Sequence, residues 1–86
     1  MYLHLGRDVV VDNKTIVAIF DLDKTTIGKI TKDYLKNAQI ENRVVNVSDD
    51  LPKSFIVCEN NNITTIYISQ ISAITLLRRS KKYLEL

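Results

Sequence analysis

Tryptophan is absent from this chain, and cysteine, histidine, proline and methionine occur once each. A single cysteine excludes an internal disulfide framework and a cysteine-rich zinc site. Cys58 lies inside the apolar run "SFIVCENN" and reads as a small buried hydrophobe. The lone histidine, His4, has no second imidazole with which to build a metal site, and it lies far along the chain from the thiol. In its apolar stretch it reads as a hydrogen-bonded interior or interface residue, so no metal and no cofactor are expected. No apolar run approaches the roughly 20 residues of a membrane helix, and "MYLHLGRDVVVD" lacks the charged start and cleavage site of a signal peptide. The expectation is a cytoplasmic protein with no membrane partner.

What remains is ordinary globular material: 86 residues, 45% hydrophobic and 26% charged, enough for one domain over 1–86. A chain this short buries a limited fraction of its surface, and oligomerisation is the natural remedy. The net charge of +2 says little, but its distribution says more. Residues 8–23 carry Asp8, Asp12, Asp21 and Asp23 against Lys14 alone. Lys24, Lys29, Lys32 and Lys36 then follow against Asp33, and "RRSKK" places Arg78, Arg79, Lys81 and Lys82 together. Local basic clusters attract polyanions even on a nearly neutral protein, because the local field governs encounter.

Hydrophobic periodicity predicts an α+β fold. "YLHL" and "VVVD" flank a glycine-containing turn and suggest a hairpin, and after a polar turn "TIVAIFDL" reads as a buried strand. Connections this short favour antiparallel neighbours. The period then changes: Ile27, Ile30, Tyr34, Leu35 and Ala38 recur at helical spacing, predicting an amphipathic helix over about 26–40. Thr25 or Thr26 is placed to cap it, with Asp21 and Asp23 upstream where negative charge suits the helix dipole. "NRVVNVS", "FIVCE" and "ITTIYISQI" read as three more strands, the last two joined at Asn60, Asn61 and Asn62, whose residue type tolerates left-handed turns. Ser72 is placed to cap a short C-terminal helix holding Ala73, Ile74, Leu76 and Leu77. The expectation is a small antiparallel β-rich domain of about six strands with one amphipathic and one short helix. Tyr2, Tyr34, Tyr67 and Tyr83 are spread through its elements and read as core or interface filling.

One motif suggests an enzyme. "IVAIFDLDKTTIG" ends an apolar run in Asp-x-Asp-x-Thr and resembles the first motif of the haloacid-dehalogenase-type phosphatases, where the first aspartate attacks phosphorus. "VVNVSDDLP" resembles that family's magnesium-holding acidic pair, and "IYIS" its phosphate-binding serine strand. The order is wrong, however, since Ser69 follows both acidic stretches. Only one helix separates the acidic strands, and no lysine stands in the expected relation. The motif is read as a decoy and the chain as a non-enzyme.

The chain as a whole resembles the RemB-like branch of the RemA/RemB extracellular matrix regulator family of Gram-positive bacteria. The resemblance rests on Tyr2, His4, Leu5, Gly6, Asp8, Val9, Val10, Lys14, Ile16, Val17, Ala18 and Ile19, and further on "KSFIVC", "IYIS" and "SAITLLRRS". It implies a small bacterial regulator of biofilm-matrix genes. The RemA-like branch binds DNA directly and assembles as rings with basic residues along the rim, which implies a homo-oligomer here, with a ring as one form. Lys14 occupies the place of a DNA-contacting basic residue before the third strand. Where that branch clusters arginines before its next long strand, this chain has Asp49, Asp50 and Leu51, leaving Lys53 as the nearest cation.

The expected partner is therefore double-stranded DNA, held mainly through phosphates by Lys14 and Lys53, with Lys29, Lys32, Arg78 and Arg79 as secondary candidates. Few contacts per subunit are multiplied by the oligomer, and lysine–phosphate contacts make binding salt-dependent and poor in base specificity. Lys29, Lys32 and Lys36 equally fit a solvated helix flank. Arg78 and Arg79 equally fit pairing with carboxylates across a subunit boundary. The rival reading keeps the fold and makes the acidic "SDD" loop a protein-binding element.

Overall fold

The structure, a computed structural model, describes residues 1–22 and 29–81, with side chains for all of these except 29–32 and 81. Strands β1 (Tyr2–Gly6) and β2 (Val9–Asp12) form the expected antiparallel hairpin, as a sheet of their own. A 3-10 turn, Asn13–Thr15, then leads into β3 (Ile16–Asp21). Asp12 builds that turn: its carboxylate accepts from the Lys14 amide at 3.0 Å, and its carbonyl accepts from Thr15 Oγ1 at 2.7 Å. The turn carries β3 away from the hairpin, so the expected three-strand meander does not form. Instead β3 pairs antiparallel with β5 (Ser54–Asn60), Asp21 facing Ser54 and Ile16 facing Cys58.

The second sheet has the order β3-β5-β6-β4, where β4 is Val44–Asn46 and β6 is Ile63–Ser69. β5 and β6 form the predicted hairpin, Asn60 facing Ile63 across Asn61 and Asn62, whose φ values of 53° and 66° are those of a left-handed two-residue turn. β4 pairs with β6 in parallel, which corrects the antiparallel expectation. Parallel pairing follows from α1 (Lys29–Ile40), since β3 and β4 are the two edge strands and run the same way. Only a crossover long enough to span the sheet joins such strands. The predicted helix start, the Thr25 or Thr26 cap and the upstream Asp23 lie outside the described residues.

The sheet is covered on both faces. On one, Leu3, Leu5 and Val11 of the hairpin pack with Val47, Ile56, Cys58 and Leu76, the last from α2 (Ala73–Lys81). On the other, Ala38 of α1 meets Phe55, Val57 and Ile66. β5 is therefore buried on both faces from Ser54 to Cys58, which explains its unbroken apolar run. Leu5, Ile56, Ile66 and Leu76 are fully buried, each contributing roughly 2 kcal/mol by removal from water. Ser72 caps α2 as expected, its hydroxyl accepting from the Thr75 amide at 3.2 Å. Tyr67 packs against the first cluster, whereas Tyr2 and Tyr34 are exposed and Tyr83 lies outside the described residues. His4 is also exposed, not interior: the outward positions of β1 alternate with Leu3 and Leu5, and its ring Nε2–H donates to the Arg7 carbonyl at 2.6 Å.

Candidate nucleic-acid interface

The structure places the sequence-derived candidates at two ends of the molecule. Lys14 is exposed in the 3-10 turn, at the end where β5 meets β6 through Asn61 and Asn62. A cleft of about 400 Å³ opens there, lined by Val10, Asp12, Thr15, Cys58, Asn60 and Tyr67 among others. Cys58 is buried, as expected, and burial pushes its thiol up, with the Thr15 hydrogen bond acting the other way.

Lys53 sits at the other end, immediately before β5. Its amide donates to the Ser69 carbonyl at 2.9 Å and its carbonyl accepts from Leu22 at 2.8 Å, so the backbone is pinned on both sides while the side chain is exposed. Because β3 and β5 are antiparallel, Lys14 and Lys53 are separated by the length of the ladder, roughly 20 Å for six residues. One subunit does not bring them together. Arg78 and Arg79 are exposed on α2, beyond its first turn, beside the exposed Ile74 and Leu77. Lys29 and Lys32 lie in α1, but their side chains fall outside the described residues. Lys36, the third lysine of that flank, is exposed.

Ion pairing among the described residues is confined to Arg43 and Glu41, 3.3 Å apart. The hydrogen bond to that carboxylate raises the Arg43 pKa further. Asp49 and Asp50 are exposed in the loop before Lys53, the Asp50 amide donating to Ser48 Oγ at 3.0 Å. They therefore offset Lys53 and leave Lys14 unaffected.

Sequence reasoning missed Arg7. It lies in the glycine-containing turn between "YLHL" and "VVVD" and stands exposed at the tip of β1–β2. Ser69 connects that turn to Lys53: its hydroxyl donates to the Leu5 carbonyl at 2.6 Å while its own carbonyl accepts from the Lys53 amide. Gly6 closes the approach, with φ +130° and a position where a Cβ would stand 3.1 Å from Val47 Cγ1. The one sequence signal was glycine next to a charged residue at a hairpin turn.

The phosphatase-like residues are partly gathered. β3, β4 and β6 run in one direction, so Asp21, the Asp49–Asp50 loop and Ser69 share one end of the sheet. β5, however, runs antiparallel between β3 and β6, which breaks the all-parallel order that such a phosphatase core requires. The chemistry fails at Ser69: it is fully buried, and its hydroxyl is spent on the Leu5 carbonyl and the Ile71 amide. Among the described residues, no group of three or more His, Cys, Asp or Glu side chains is placed to hold a metal ion. No described helix is long and apolar enough to cross a membrane.

Residues 2–79 match the family described as RemA-like, extracellular matrix regulatory protein A-like. The chain is also 37% identical over 86 residues to extracellular matrix regulatory protein B of Bacillus subtilis (strain 168), covering 100% of this chain and 98% of that protein.

Proposed function

Since the chain belongs to the RemA-like family of extracellular matrix regulatory proteins, we propose that it regulates matrix genes in the cytoplasm by binding double-stranded DNA as a non-enzymatic homo-oligomer. Lys14 and Lys53 contact phosphates, with Lys29, Lys32, Arg78 and Arg79 as flanking cations. The observation that carries this reading is the state of its cations: Lys14, Lys53, Arg78 and Arg79 are all exposed, and none joins an ion pair among the described residues. Two contacts roughly 20 Å apart give one subunit little affinity. Repetition of the pair around an assembly multiplies them. Exposed Val10, Val17, Phe20, Ile63 and Leu51 supply apolar surface for such an assembly.

The test is duplex binding across a salt series, with the solution mass measured on the same sample. Expected are an oligomer and an affinity that falls linearly in log–log coordinates with salt. A monomer, or no binding at low salt, rejects the reading. A second reading is favoured by the exposed Asp49–Asp50 loop, which suits a protein partner. Reversing both to lysine strengthens DNA binding on the first reading and destroys a protein complex on the second.

A further inference from the structure

Four non-glycine residues among those described have positive φ: Arg7, Asn42, Asn61 and Asn62. Three are asparagine, the residue type that best tolerates left-handed backbone after glycine. Arg7, at φ 46°, is the exception. A long side chain gains nothing from such a backbone, and glycine or asparagine fits there with less strain. The turn is nonetheless held firmly from behind. Gly6 takes a φ of +130°, His4 Nε2–H donates to the Arg7 carbonyl at 2.6 Å, and Ser69 Oγ–H donates to the Leu5 carbonyl at 2.6 Å. The backbone is fixed by buried and hydrogen-bonded groups while the guanidinium is left exposed and outside the ion pairing of the described residues. A strained position that keeps a functional side chain points to a use for that side chain.

We propose that Arg7 is a phosphate-contacting residue for duplex DNA and forms one site with Lys53. This rests on the DNA-binding reading above and deepens it. Both residues hang from Ser69, one through the Leu5 carbonyl and one through the Lys53 amide. Charge favours the pairing. Asp8, Asp49 and Asp50 are exposed at or next to this end of the sheet, where Asp21 also lies, and Arg7 with Lys53 offsets more of that negative charge than Lys53 alone. A guanidinium does more than add a unit charge, because its planar fork donates two parallel hydrogen bonds to phosphate oxygens. Contact with DNA at the Lys53 end thus uses Arg7, and His4 acts as a positioning residue through the Arg7 carbonyl.

The test uses Arg7→Gly in the full chain, with wild type and Lys14→Ala alongside, titrated with two unrelated duplexes over a salt series. Glycine relieves the left-handed strain, so the melting temperature holds or rises. Affinity nonetheless falls, by up to about tenfold for each engaged subunit and equally for both duplexes, and the log–log salt slope loses about one unit per engaged subunit. A purely structural role moves stability and leaves the slope alone. If wild type and Lys14→Ala behave as the DNA reading requires but Arg7→Gly keeps full affinity and slope, the Arg7 assignment is overturned and that reading stands. If Arg7→Gly instead lowers the solution mass at unchanged DNA affinity per assembled subunit, Arg7 serves subunit contacts and the assignment is again overturned. Wild type that binds neither duplex at low salt removes both.

Discussion

Replacing Ser69 by alanine removes a single oxygen, yet it should be among the most damaging small changes in the chain. Ser69 is fully buried at the end of β6. Its hydroxyl donates to the Leu5 carbonyl at 2.6 Å and accepts from the Ile71 amide at 3.0 Å, so one atom ties the β1–β2 hairpin and the entry to α2 onto the central sheet. Alanine leaves a buried carbonyl and a part-buried amide without that partner. Each such group costs roughly 1–3 kcal/mol, giving about 2–6 kcal/mol for the pair, towards the lower end because the amide is only part-buried. That is a large share of the roughly 5–15 kcal/mol of a typical domain. Ser54→Ala is the internal comparison: Ser54 is equally buried but makes one bond, to the Ile71 carbonyl at 2.7 Å, so its loss should be about half as large. Urea denaturation measures both. Protein concentration is held fixed because assembly contributes to apparent stability, and an unchanged m-value certifies that only stability moved. A loss for Ser69→Ala below about 0.5 kcal/mol, or one no greater than that of Ser54→Ala, would refute the two-bond argument.

Two further outcomes follow from the same geometry. Asn62 has φ 66° at the second position of the β5–β6 turn, where glycine is preferred after asparagine; Asn62→Gly should raise the urea midpoint, by about 0.5 kcal/mol in stability. Burial holds the Cys58 thiol above its ordinary 9.0, against the weaker pull of Thr15, so the folded chain keeps this proton to higher pH than the unfolded chain. The associated stability is complete below about pH 9 and is lost as pH rises through the raised folded value. Denaturation midpoints from pH 7 to 10 should fall more steeply for wild type than for Cys58→Ala.

The elements whose information is local were legible. Asparagine at the β5–β6 turn, serine before α2, and the alternation of Leu3 and Leu5 with exposed neighbours each act through bonds or periods spanning a few residues. Strand partners are not local. Nothing in "DNKT" distinguishes a turn that folds β3 back onto β2 from the 3-10 turn that sends it to β5. Nor does "NRVVNVS" declare that β4 pairs in parallel, because that depends on where α1 delivers it.

The candidate site divides the same way. Composition, charge clusters and whole-chain resemblance were enough to name Lys14 and Lys53 as exposed cations in a small α+β regulator, since side-chain chemistry and polar turns are written residue by residue. That these two lysines stand at opposite ends of one ladder, that Ser69 is a buried fastener, and that the strand leading into the Arg7 turn and Lys53 both bond to Ser69 were decided by folding alone. Those facts come from hydrogen bonds between residues as many as 64 positions apart, whose partners are chosen by packing of the whole sheet.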